Sequence, residues 1–74
     1  MMLMIKSYTN AQHTRRLLVR RDGSLGWDVS VEYDAEVVQH ARYADWHRVE
    51  RARQRFDMAM QETDGWKEVP ATTD

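Results

Sequence analysis

The chain has no cysteine. No disulfide and no thiolate metal site can staple it, so packing alone must hold it together. It has one proline, Pro70, and three glycines, Gly23, Gly26 and Gly65. Little therefore interrupts regular structure, and the few interruptions are informative. Lysine is scarce: only Lys6 and Lys67 occur, and the rest of the basic side is arginine, the better residue for forked contacts and stacking. Neither sign of charge dominates. There are 11 Lys+Arg against 12 Asp+Glu, a formal net charge of −1, so whole-chain charge steers the protein toward neither nucleic acid nor an anionic membrane. Long apolar runs are absent. The opening M-M-L-M-I gives way to Lys6, which is too short for a secretory signal or a membrane span. The expectation is a soluble, cytoplasmic protein with no membrane partner.

At 74 residues the chain predicts a single domain, residues 1–74, with a modest core. An interface shared with a partner or a second copy would add burial, so a homodimer is one expectation.

The segment Asp45–Trp66 organises the rest. Trp46, Val49, Ala52, Phe56, Ala59, Met60 and Thr63 recur at steps of three and four, which aligns them on one side of a helix. Asp45 stands where a short carboxylate caps the first free N–H groups. Gly65 stands where a left-handed residue ends a helix, and Trp66 where an apolar side chain folds back, here onto Met60.

Upstream, Arg15–Arg21 reads as a strand. Trp27–Tyr33 alternates cleanly, with Trp27, Val29, Val31 and Tyr33 on one face and Asp28, Ser30 and Glu32 on the other. Val37–Tyr43 is a third strand. Residues 22–26, with two glycines, and Asp34-Ala35-Glu36 supply the turns. Met2–Tyr8 alternates weakly and fits either an edge strand or an N-terminal arm.

Charge selects the register. Pairing Arg21 with Trp27 and Val19 with Val29 sets Arg20 opposite Asp28 and Arg16 opposite Glu32, and such cross-strand pairs contribute about 0.2–1 kcal/mol each. In the second hairpin, a three-residue turn places Tyr43 opposite Trp27, Ala41 opposite Val29 and Arg42 opposite Asp28. A two-residue turn would instead send His40 and Arg42 into the core, at high cost.

The predicted fold is α+β: a three-stranded antiparallel β-meander, four-stranded if residues 2–8 join it, with one long C-terminal α-helix packed across one face. Residues 1–14 form the arm or edge strand and a loop, 15–66 the βββα core, and 67–74 a flexible tail. The predicted core is Leu17, Val19, Trp27, Val29, Val31, Tyr33, Val37, Ala41, Tyr43, Trp46, Val49, Ala52, Phe56, Ala59 and Met60.

With an aromatic just before the helix cap and Gly65-Trp66 after the helix, this outline resembles several small DNA-binding modules. They include a family of plant transcription-factor domains, the arm-binding domain of phage-type integrases and the WGR module. The resemblance implies DNA binding, in the first two families through the exposed sheet face. Here the centre of that face carries Asp28 and Glu32, which phosphates disfavour.

The candidate binding residues are arginines. Arg48, Arg51 and Arg55 form a ridge on the helix, and Arg16 and Arg20 lie on the first predicted strand. Such surfaces suit an acidic protein partner or a phosphate backbone. His13, His40 and His47 fall on a loop, a strand and a helix start without metal-ligand spacing, so neither a metal nor another cofactor is expected. No paired carboxylates, nucleophile–base set or phosphate loop stands out, so no enzyme and no small-molecule substrate is expected. The expected function is a non-catalytic protein-interaction module, an adaptor or inhibitor acting on a partner protein's surface. The alternative is a small nucleic-acid-binding regulator that uses the helix arginines.

Overall fold

The structure, a computed structural model, describes residues 2–23 and 26–69, with side chains from Met4 onward. The turn residues Ser24 and Leu25 and the tail residues 70–74 lie outside the described residues. The elements are β1 (Met2–Thr9), β2 (Thr14–Asp22), β3 (Gly26–Tyr33), β4 (Glu36–Tyr43), α1 (Trp46–Glu62) and β5 (Lys67–Val69). The fold is α+β. Five antiparallel strands form one open sheet in the order β4-β3-β2-β1-β5.

The sheet is wider than the sequence predicts. Residues 2–9 form a strand, β1, with Lys6 opposite Leu17 and Tyr8 opposite Arg15. The first part of the predicted tail is also a strand. Gly65, at φ 92°, reverses the chain, and Lys67–Val69 pairs with Ser7–Thr9. Lys6 Nζ holds Glu68 across this junction at 2.7 Å. Periodicity cannot reveal a three-residue strand; it forms because β1 offers an open edge beside the end of the helix.

The β2–β3 register is the predicted one, with Arg16 opposite Glu32 and Val19 opposite Val29. The β3–β4 register also agrees from Trp27–Tyr43 through Val29–Ala41, but the turn that produces it differs. Tyr33 pairs with Glu36, so the turn has two residues, Asp34 at φ 50° and Ala35 at φ 71°. Both are left-handed, as the tightest hairpins require. A shift in pairing between Val31 and Glu32 then leaves Val38 as an extra residue. This bulge restores the alternation and keeps Arg42 out of the core.

α1 begins where Asp45 Oδ1 accepts the His47 N–H at 3.0 Å. It ends at Thr63, earlier than Gly65; Thr63 is extended and its hydroxyl donates to the Ala59 carbonyl at 3.0 Å. Val49, Phe56 and Met60 are its buried residues. They pack on Leu17, Val19, Val29, Val31 and Tyr8, with Trp66 against the same cluster. Burial of each such side chain contributes about 1.5–3 kcal/mol.

The core also differs at its margins. Tyr8 and Leu18 are buried: Tyr8 because β1 joins the sheet, Leu18 because it sits in the central strand between Ile5 and Ser30. Val37 is 59% exposed, because the bulge beside it breaks the alternation that would turn it inward. Trp46 is 38% exposed and meets Trp27 edge-on at 5.4 Å. Ala59 is exposed.

Candidate partner-binding groove

The helix does not cover the sheet evenly. Its C-terminal half reaches β1 through side chains. There Tyr8 packs edge-on against Phe56 at 5.7 Å and its hydroxyl donates to Asp57 Oδ1 at 2.9 Å. Burial first, and then this bond, push the Tyr8 hydroxyl up to about 12. Lys6 lies 3.7 Å from the same carboxylate. Arg53 binds Glu50 and Asp57, each at 3.0 Å, and its bond to Glu50 raises its already high pKa. On this flank of α1 the charged side chains are thus engaged with one another.

The opposite flank, over β4, is open. A groove of about 460 Å³ runs between α1 and β4. Val29, Val31 and Ala41 form its floor, Gln39 and Tyr43 its strand wall, and Ala52, Phe56 and Ala59 its helix wall. Three alanines face a space that larger side chains would fill, and this leaves the groove empty of protein. Arg15 and Arg55 line it as well, together with His40, and no carboxylate does.

By helical spacing, Arg48, Arg51 and Arg55 continue this rim along α1. All three are exposed, and no described carboxylate forms an ion pair with them, although eight ion pairs occur among the described residues. Arg15 Nε is buried without a hydrogen-bond partner, and its guanidinium carbon lies 5.6 Å from the centre of the Tyr33 ring.

Among the described residues, nothing pairs with the sheet edge beside the groove. β4 and β5 are the two edge strands. β5 is short and bears Lys67 and Glu68, which blunt an edge. β4 has eight residues without Pro or Lys. Its bulge disturbs the region of Val37 and Val38 and leaves Gln39–Tyr43 as a regular edge, the same stretch that walls the groove.

The predicted binding arginines are not brought together. Arg48, Arg51 and Arg55 lie on the helix side. Arg16 and Arg20 lie on the other face of the sheet, in register with Glu32 and Asp28. Arg16 is engaged there, with Nη2 2.7 Å from Glu32 Oε1. Asp28 instead meets His40 Nε2 at 2.6 Å, and Arg42 forms its ion pair with Asp22. Arg20 is exposed.

Arg15 belongs to the basic cluster Arg15, Arg16, Arg20 and Arg21 that the sequence shows; sequence reasoning missed Gln39 and the groove itself, having placed Ala41, Tyr43, Ala52 and Ala59 in the core. The available signal was the alanines: small residues at three facing positions do not fill a helix–sheet interface. His13 Nδ1 lies 2.6 Å from Asp34 Oδ2, and that bond first, then the Thr14 N–H, hold the Asp34 carboxyl below its usual range. The pair fastens the β1–β2 loop to the β3–β4 turn. Among the described residues no cluster of metal-binding side chains occurs, and no helix is long and apolar enough to cross a membrane. Comparison with protein-family models, curated proteins and solved structures finds no match to this chain.

Proposed function

We propose that this chain is a non-catalytic protein-interaction module, an adaptor or inhibitor that takes an extended segment of a partner protein along β4. The observation that carries this reading is the coincidence of an apolar groove with an unpaired, regular strand edge. A segment added at such an edge gains main-chain hydrogen bonds, and its alternate side chains point into the groove. An open strand edge also invites pairing with another chain unless it is covered.

The test is a selection from random peptides of about twelve residues, long enough to span a strand, followed by amide shift mapping of the bound protein. The expected shifts cluster on Gln39–Tyr43 and on the groove side of α1. Shifts confined to the other sheet face or to β5, or a failure to select any peptide, would count against it.

A second reading rests on the unpaired arginines of α1, which also suit a nucleic-acid backbone. Duplex binding whose affinity falls steeply with salt would support it.

A further inference from the structure

We infer that the groove between α1 and β4 recognises an acidic segment: an extended peptide with apolar side chains at alternate positions and carboxylates directed to the arginine rim. The inference rests on the groove being the partner site and adds the chemistry of the occupant.

The charge distribution carries it. The chain as a whole is close to neutral, but its carboxylates are unevenly engaged. Glu50, Asp57 and Glu68 are held by Arg53 and Lys6 on the β1 flank of the helix. Glu32, Asp28 and Asp22 are held by Arg16, His40 and Arg42. Arg15 and Arg55 at the groove, and Arg51 and Arg48 beyond it, have no described carboxylate partner. The near-neutral total thus conceals one locally cationic, apolar-floored surface. Carboxylates of a ligand would complete forked contacts there.

The other occupants fit less well. Nucleic acid would use the arginines but neither the apolar floor nor the strand edge. A second copy pairing β4 on β4 would bring together two sets of arginines that have no described carboxylate partner. Like charges across an interface oppose association.

The same selection tests this inference, read by composition and repeated with charge variants. The full chain and its Arg51→Glu/Arg55→Glu variant are both used; the two positions are exposed on the helix surface, so the change leaves the core intact, which a thermal melt verifies. The expected peptides are rich in Asp and Glu alternating with Val, Ile, Leu or Phe. Their affinity falls about tenfold or more on charge reversal, and falls again between about 50 and about 500 mM salt. Neutral or basic peptides that map to the groove and bind both proteins equally would overturn the inference while leaving the groove as the partner site. Peptides that map elsewhere, or none at all, would remove the groove reading and this inference with it. Two controls complete the test. Generic duplex DNA binding the arginine ridge when no acidic peptide is selected overturns the inference. So does a dimer in light scattering that Ala41→Glu converts to monomer.

Discussion

The Tyr8 hydroxyl donates to Asp57 across 2.9 Å, and this contact ties the helix to β1, on the side of the sheet away from β4. The bond is testable directly. Tyr8→Phe keeps the ring against Phe56 and removes one hydrogen bond, at an expected cost of about 0.5–1.5 kcal/mol near neutral pH. The linkage has a definite sign. A phenol whose folded value is raised is favoured neutral by the fold, so its contribution is complete below pH 10.0 and is lost as pH rises from there to about 12. Ultraviolet titration of the folded protein should show a late-titrating component that is absent in Tyr8→Phe.

Two backbone positions should respond with opposite signs. Gly26, at φ 153°, has no room for a side chain: an added Cβ would lie 2.4 Å from the Tyr43 carbonyl oxygen. Gly26→Ala must push the start of β3 away from the end of β4, and denaturant unfolding should show a loss of about 2 kcal/mol or more.

Ala35 carries a Cβ at φ 71° in a turn position that glycine favours. It is exposed, so Ala35→Gly removes strain without removing packing. The expected gain is about 0.5–1 kcal/mol, read as a higher denaturant midpoint with an unchanged slope.

The Asp34 carboxylate should matter least in acid. Its folded pKa lies below the ordinary 3.8. Its contribution is therefore complete above that value and is lost as pH falls below it toward the folded value. Asn tolerates the left-handed backbone of this turn, so Asp34→Asn isolates the charge. The variant should be less stable than the parent near pH 7, and the gap should narrow as pH falls below 3.8.

These features show which parts of the fold the sequence reveals. Trp27–Tyr33 and the helix stripe were legible because their apolar faces are periodic over many residues. The Arg16–Glu32 pairing was legible because charge selects among registers. The Asp34-Ala35 turn was not, because Ala stands where Gly would announce it, and the bulge at Val38 has no composition signal. β5 was hidden because three polar or small apolar residues become a strand only when an edge awaits them. At the candidate site, the arginine ridge on α1 was visible from spacing. The groove was not, because spacing along the chain does not say how closely the helix packs on β4, and that decides how far Ala41 and Ala59 are buried.

The most direct measurement is the affinity of a groove-selected peptide for the parent chain and for Ala59→Trp. Position 59 is an exposed helix residue on the groove wall, so an indole there fills the space without altering the β4 edge. If β4 and the groove act together as the binding site, the variant keeps its thermal stability and loses binding by about tenfold or more. Equal affinity in the two proteins would show that the groove takes no part, and the account of this chain as a strand-binding module would be wrong.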